Sequence, residues 1–104
     1  MLGGMAVIET MTFRLVDGAD EAAFLAVDKR LQSDFAYQQP GLLRRTTARG
    51  QGDRAGEWIV IDLWGDAEHA DACAARWDDD PTAQEFMAFV DRSSLEVRRY
   101  RDLD

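Results

Sequence analysis

The chain has 104 residues, of which 46% are hydrophobic and 31% charged, a composition typical of one ordinary globular domain. Its net charge of −8, with Lys29 as the only lysine, argues against a nucleic-acid-binding protein, because phosphate binding needs a basic surface. No apolar run approaches the roughly 18–20 residues that span a membrane, and the first residues lack a secretory-signal pattern. Cys73 is the only cysteine, which excludes an internal disulfide and fits a cytoplasmic protein. We therefore expect a single domain over residues 5–104.

The first elements in the chain are a strand and a helix. Residues 6–16 alternate apolar and polar side chains with period two, which predicts a strand. Asp20 then stands where a helix N-cap is expected, and apolar residues at helical spacing continue to about Tyr37. The dipeptide Pro40-Gly41 ends this helix.

The remaining elements follow with short connections. A polar, glycine-rich loop over residues 50–56 joins two strands into a hairpin. Asp66 and Asp80 are the expected N-caps of two more helices, and Ser93-Ser94 are expected in a turn before the last strand. The predicted ranges are strands over 42–49, 58–64 and 95–101, and helices over 66–77 and 81–90.

The order strand, helix, strand, strand, helix, strand predicts an α+β, ferredoxin-like βαββαβ domain with a four-stranded antiparallel sheet. The expected strand order is 4-1-3-2, with the helices on one face. The other face is then a bare apolar surface, which favours a homodimer through that open face. The candidate interface residues on the central strands are Ile8, Thr10, Thr12, Ile59, Ile61 and Leu63.

Arginines are concentrated on the two strands expected at the sheet edges. Charged side chains at such positions discourage unwanted strand pairing, and we favour this interpretation over ligand binding. These arginines are Arg44, Arg45, Arg49, Arg98, Arg99 and Arg101.

Several motifs resemble those of the antibiotic biosynthesis monooxygenase-like (ABM-like) domains of the dimeric α/β-barrel superfamily. They are the first strand VIETMTFRL (7–15), the corner QPGLLRR (39–45), the strand EWIVIDLW (57–64) with the capped helix after it, and Asp80-Pro81. The resemblance covers nearly the whole chain. It implies two sheets paired face to face into a dimeric barrel, and an activity that in some members is cofactor-independent oxygenation of electron-rich aromatics.

Other members of that superfamily degrade haem, and this chain departs from their pattern. Trp64 matches by position a tryptophan that shapes their pocket. Those enzymes also use an asparagine on the first strand and a histidine near the end of the second helical region. This chain has no asparagine, and its only histidine, His69, lies at the start of the second helix. We therefore expect no haem or other cofactor.

Three side chains are candidate catalytic residues. Glu9 and Asp62 lie on neighbouring strands, on the face expected to pack under the helices, where two carboxylates could bind a proton or polarise a phenol. His69 follows the Asp66 cap, and an imidazole exchanges protons near neutral pH. The alternatives are that Glu9 reaches water or an arginine, that Asp62 pairs with an arginine such as Arg14, and that His69 is solvated.

Aromatic side chains on the same face are typical of a cavity for a flat apolar ligand, although most aromatic residues belong to a core. Cys73 is interpreted as a small core residue, and no ligand set with metal-binding spacing is present in the sequence. The candidate substrate-binding residues are Trp64, Trp58, Trp77, Phe13 and Phe86.

The expected function is binding of a small molecule, with cofactor-independent monooxygenation of an aromatic or polyketide-like substrate as the leading hypothesis. A non-catalytic binding or interaction domain of the same fold is the main alternative. A decyclase or isomerase that needs a single base is a third. Fold alone cannot decide among them, because this fold hosts many activities.

Overall fold

Four antiparallel strands form one sheet in the computed structural model, which describes residues 5–104. They are β1 (Val7–Leu15), β2 (Leu42–Arg49), β3 (Trp58–Trp64) and β4 (Val90–Arg101). Their order is β2-β3-β1-β4, which is the predicted order counted from the other edge. With the helices this gives the predicted α+β ferredoxin-like arrangement. The expectation about a secretory signal falls partly on residues 1–4, which lie outside the described residues.

Each α-helix begins directly after an aspartate, as the sequence predicts. The carboxylates of Asp20, Asp66 and Asp80 accept backbone N–H groups from the first turns of their helices. The helices are α1 (Glu21–Asp34), α2 (Ala67–Trp77) and α3 (Pro81–Ala88), with short 3₁₀ turns at Ala36–Gln38 and Gly52–Arg54.

Helix α1 is shorter than predicted. It ends at Asp34, and the chain continues through the 3₁₀ turn instead of reaching Tyr37 as an α-helix. The Tyr37 hydroxyl accepts the backbone N–H of Arg45 at 2.8 Å and donates to the carbonyl of the same residue at 3.3 Å. This tertiary contact ties the segment to β2, and the apolar periodicity of the sequence carries no sign of it.

Strand β4 begins at Val90, five residues earlier than predicted. The turn expected at Ser93-Ser94 is instead an irregularity inside the strand, where the pairing of β4 with β1 shifts between Thr12 and Arg14. The Ser94 hydroxyl accepts the backbone N–H of Arg14 at 2.8 Å, which satisfies a donor that the shift leaves out of the ladder. Ser93-Ser94 therefore indicated a break in regular strand pairing. The sequence did not show that this break is an irregularity within β4 instead of a turn before it.

The sheet has the predicted sidedness. Phe13, Trp58, Val60 and Trp64 are buried on the face that carries the helices. The six candidate interface residues lie on the opposite face, are partly exposed, and pair directly across β1 and β3. The pairs are Ile8 with Leu63, Thr10 with Ile61, and Thr12 with Ile59.

The centre of the hydrophobic core lies beneath α1 and α3. Phe13, Phe24, Trp58 and Phe86 form edge-to-face or tilted ring pairs with centroids 5.1–5.9 Å apart. We call these four residues the aromatic core. Such pairs add about 0.5–1.5 kcal/mol each beyond the area they bury. All four side chains are buried, so this half of the domain is closed.

Candidate functional site

A cavity of about 180 Å³ lies between the sheet and helix α2. Helix α2 presents small side chains over this part of the sheet, with Cys73 and Ala74 among the lining residues. Trp64, Trp77 and Phe35 supply aromatic walls. The cavity therefore combines an apolar, flat-sided interior with a few polar groups, the usual character of a small-molecule site.

Asp62 is a lining residue, and its carboxyl group is largely buried. Burial raises the pKa of Asp62 from 3.8 to about 6. The guanidinium of Arg45 opposes this rise, and the negative charges of Glu9 and Asp28 add to it. A carboxyl group with such a pKa can both accept and release a proton close to neutral pH.

Arg45 is a residue of the cavity wall that the sequence interpretation missed. Its side chain is 3% exposed, so the edge-charge interpretation is wrong for this arginine, whereas the other five predicted edge arginines are exposed. Its guanidinium donates to Asp28 at 2.8 Å, and its Nε lies 3.9 Å from Oδ1 of Asp62. Arg45, and not Arg14, is therefore the arginine close to Asp62.

One signal in the sequence could have located this ion pair. Asp28 stands within the apolar stripe of α1, four residues after Phe24 and three before Leu31. An acidic residue on a buried stripe needs a partner, because an unpaired buried charge is strongly destabilising. The alternation of β2 could not identify Arg45 as that partner, because the bulge between Leu42 and Arg44 interrupts it.

Glu9 also lines the cavity, directly across from Asp62 in the β1–β3 pairing. Its carboxylate accepts Nε of Arg99 at 2.9 Å, as the alternative interpretation anticipated. Arg99 also donates to Asp71 on α2 at 2.6 Å. The charge of Glu9 is thus partly compensated by an arginine that connects the edge strand β4 to α2.

His69 is not among the residues that line the cavity. Its Nδ1 lies 2.9 Å from a carboxylate oxygen of Asp66, and its side chain is partly exposed. The pKa of Asp66 is lowered, chiefly because its carboxylate accepts the backbone N–H of His69. The ring packs against Gly41, where φ is +84° and an added Cβ would stand 2.5 Å from the imidazole. The histidine therefore occupies the corner that precedes β2.

The predicted substrate-binding aromatics fall into two groups. Trp64 and Trp77 line the cavity. Phe13, Trp58 and Phe86 belong to the aromatic core and do not line it. Their placement follows from the helices above them. Helices α1 and α3 bring phenylalanines onto one half of the sheet, whereas α2 brings the small Cys73 and Ala74, with Trp77 at its end, onto the other.

Two polar atoms in the cavity wall are buried without a hydrogen-bond partner. They are Oδ1 of Asp62 and the indole Nε1 of Trp64, the only such side-chain atoms found in residues 5–104. The 3.9 Å separation between Asp62 and Arg45 counts as an ion pair but is too long for a hydrogen bond. Both residues line the cavity, but neither of these two atoms is accessible from it.

Cys73 has a neutral thiol at physiological pH. Burial raises its pKa to about 11, and the negative charges of Asp62 and Glu9 contribute to the increase. Since the thiolate is the reactive form, Cys73 supplies volume and polarizability to the cavity rather than a nucleophile.

No helix within residues 5–104 is long and apolar enough to cross a bilayer.

Solved structures with the same architecture were found, while no protein-family model and no curated protein matches the chain. SnoaB, a cofactor-independent oxygenase from Streptomyces nogalater, is 23% identical over 97% of this chain and 96% of its own, with a TM-score of 0.77. A putative antibiotic biosynthesis monooxygenase from Chloroflexus aurantiacus J-10-fl is 16% identical over 95% and 94%, with a TM-score of 0.66. An antibiotic biosynthesis monooxygenase is 16% identical over 94% and 99%, with a TM-score of 0.72. The chain therefore has the fold of the ABM-like domains.

Proposed function

We propose that this protein is a cofactor-independent monooxygenase that acts on an aromatic or polyketide-like phenol in the cavity under α2. The observation that carries the proposal is Asp62, a carboxyl group with a pKa of about 6 in a cavity with tryptophan walls. A base matched to neutral pH is what deprotonation of a bound phenol requires. The fold shared with SnoaB, described as a cofactor-independent oxygenase, supports the reaction type.

The reaction begins when the Asp62 carboxylate takes the hydroxyl proton of the substrate. The resulting phenolate passes one electron to O₂, and the ring carbon para to the oxygen then forms a C–O bond with the reduced oxygen. The proton held by Asp62 completes a hydroperoxide. Loss of the ring hydrogen and cleavage of the O–O bond release water and leave a quinone, so one oxygen atom enters the product and the other leaves as water.

The remaining cavity residues favour this chemistry through their charge and shape. The Arg45 guanidinium places positive charge beside Asp62, where the phenolate develops, and Asp28 holds it there from α1. Trp64 and Trp77 provide flat walls that orient a ring and exclude water. Glu9 is proposed as a second carboxylate that favours the neutral form of Asp62 before substrate binds.

Oxygen uptake with a series of one-, two- and three-ring phenols tests the proposal. We expect Asp62→Asn to reduce the rate by about a hundredfold or more, since the general base is removed without a change in shape. Asp53→Asn, which removes an equal charge from the exposed 3₁₀ turn, is the matched control. His69→Ala tests separately the predicted role of His69. An Asp62→Asn protein as active as the wild type would rule out the proposed base.

A non-catalytic binding domain is the second candidate. It is favoured by the ion pairs of the other two predicted catalytic residues, Glu9 with Arg99 and His69 with Asp66. Saturable binding of a phenol with no oxygen uptake by the wild-type protein would support it.

We also propose that the protein is a cytoplasmic homodimer that pairs through its open sheet face. Ile61 lies on that face beside Thr10 and Thr46, so Ile61→Arg would place a charge in the middle of the contact. The expected result in light scattering after size-exclusion chromatography is a dimer for the wild type and a monomer for the variant. A monomeric wild type at micromolar concentration would contradict the proposal.

A further inference from the structure

We propose that helix α1 supplies a positioning residue for the site: Asp28 holds the guanidinium of Arg45 short of a hydrogen bond with Asp62, which keeps the Asp62 carboxylate available to take a proton. Asp28 is buried and lies outside the cavity lining. The inference rests on the proposed function in taking Asp62 as the base. It goes further by naming a residue that acts on this base through a second side chain.

The guanidinium of Arg45 is held by acceptors from α1 and β2. Its Nη2 donates to Oδ1 of Asp28 at 2.8 Å. Its Nη1 donates to Oε1 of Gln32 at 3.2 Å and to Oγ1 of Thr47 at 3.3 Å. Asp28 and Gln32 are four residues apart, so their side chains share one face of the helix. Both terminal nitrogens are therefore engaged, which leaves Nε as the nitrogen that approaches Asp62.

The result is an unpaired carboxylate oxygen next to a buried cation. Oδ1 of Asp62 is buried without a hydrogen-bond partner, and Nε of Arg45 lies 3.9 Å from it. An N–H···O bond needs about 2.9 Å, so the guanidinium stands about 1 Å too far away. Direct contact with an arginine lowers the pKa of an aspartate by about 1–3, which would leave a weak base. Two carboxylates thus compete for one guanidinium, and the contacts from α1 decide the competition in favour of Asp28.

Other titratable groups lie on the elements packed around Asp62. Glu9 is directly across on β1 and is paired with Arg99 of β4. Burial raises the pKa of Asp62 to about 6 despite the nearby charge of Arg45. The substitutions below leave unchanged the groups on β1, β4 and α2, which are Glu9, Arg99, Asp71, Cys73 and Arg76. Differences between the variants therefore report the contacts between α1 and Arg45.

NMR titration of the Asp62 carboxyl carbon measures its proton affinity without turnover, and Asp62→Asn assigns the signal. We expect Asp28→Asn to weaken proton binding by Asp62 about tenfold or more, because a neutral amide competes poorly for the guanidinium. A crystal structure of this variant should show Nε of Arg45 within about 3.2 Å of Asp62. The matched control is Asp34→Asn, which removes an equal charge from the exposed end of α1 and should leave the titration unchanged.

A second background shows whether Asp28 acts through Arg45. Arg45→Gln removes the guanidinium and should strengthen proton binding by Asp62. In that background Asp28→Asn should change proton binding less than about threefold, since no guanidinium is left to release. A tenfold loss in both backgrounds would overturn the inference, because a loosened fold or the charge of Asp28 itself would then be the cause.

Gln32→Met is a milder variant that keeps the inference testable if Asp28→Asn does not fold. It removes one acceptor of the Arg45 guanidinium without a change in charge. We expect it to weaken proton binding by Asp62 about two- to threefold, in the same direction as Asp28→Asn. Stronger proton binding in this variant would contradict the inference.

The results separate this inference from the proposed function. An unchanged titration in Asp28→Asn, or a guanidinium still 3.9 Å from Asp62, would overturn the inference even if oxygen uptake showed the protein to be a monooxygenase. The expected titrations without oxygen uptake from any phenol would uphold the inference and contradict the monooxygenase. If both hold, the acid side of the pH–rate profile should move to lower pH in Asp28→Asn, together with the titration of Asp62.

Discussion

The helix-facing side of the sheet has two halves that share their strands and differ in how the helices cover them. Trp58 belongs to the half under α1 and α3, where the rings of the aromatic core fill the space. Asp62 and Trp64, on the same face of the same strand, belong to the half under α2, where Cys73 and Ala74 leave a cavity that Trp77 bounds at the end of the helix. The comparison shows that the covering helix, more than the strand, determines whether a sheet face becomes core or site.

The two halves also differ in how charged side chains meet them. Glu9, Arg45 and Asp62 line the cavity. In the aromatic core, Arg45 and Arg49 contact only ring faces, those of Phe86 and Trp58, at 5.9 and 4.7 Å from the ring centroids. Buried charges lower the free energy of unfolding unless they are paired. The charges of the cavity half are therefore destabilising, and the packing of the closed half offsets this effect. Such a division is common in proteins whose site needs groups that packing alone would exclude.

The largest effect is expected in the closed half. Phe24 is fully buried and contacts Phe13, Trp58 and Phe86 through its ring. We expect Phe24→Ala to lower the free energy of unfolding by about 3–5 kcal/mol, because the surrounding rings cannot collapse into the space. Urea unfolding followed by circular dichroism measures this. A loss below about 1 kcal/mol would show that this half is not closed.

The buried ion pair beside the cavity should come next. Arg45→Leu leaves Asp28 buried without its partner, and we expect a loss of about 3 kcal/mol in the free energy of unfolding. The matched control is Arg30→Gln, because Arg30 and its partner Glu85 are about half exposed, and its effect should stay within about 1 kcal/mol. The double variant with Asp28→Leu should recover stability; a double variant less stable than Arg45→Leu would contradict the ion-pair explanation.

A smaller effect with a defined pH range is expected at Asp62. Its pKa in the folded protein is about 6, above the ordinary 3.8, so between these values the folded protein binds more protons than the unfolded chain. The contribution of Asp62 to the free energy of unfolding therefore falls as pH rises through this range. Asp62→Asn should be more stable than the wild type by about 1–3 kcal/mol above pH 7, and nearly equal to it below pH 4.

Urea unfolding of both proteins at a series of pH values measures this difference. The Asp53→Asn control should show no such pH-dependent gain. A difference between wild type and Asp62→Asn that is constant with pH would mean that Asp62 has an ordinary pKa, and the proposed base would lose its main support.

The smallest effect on stability is expected from filling the cavity. Cys73→Leu adds volume where α2 leaves space, so the free energy of unfolding should change by about 1 kcal/mol or less, whereas added volume in a filled core costs about 1–3 kcal/mol. Binding of a two-ring phenol such as 1,5-dihydroxynaphthalene should be lost in calorimetric titration. Cys73→Ala, which enlarges the cavity, should retain binding. A Cys73→Leu protein that still binds the probe would place the ligand elsewhere.

Local patterns in the sequence determined most of the fold. Period-two alternation located β1, and β-branched and aromatic composition located β3. The period of a strand then grouped the residues of each into two faces, since a residue on a strand points to the side opposite its neighbours. The caps Asp20, Asp66 and Asp80 located the helix starts, because an aspartate side chain satisfies the free N–H groups of a first turn. The motifs in the strands and corners indicated the ABM-like fold.

Only the tertiary structure decided which of these residues form the site. Arg45 is adjacent in sequence to exposed Arg44, and its burial depends on a bulge in β2 and on Asp28, which approaches from a helix distant in sequence. Whether Trp58 or Trp64 meets a cavity depends on which helix lies above it. Sequence periodicity fixes the side of a strand on which a residue lies, whereas the space and charge that it meets there depend on contacts between distant segments.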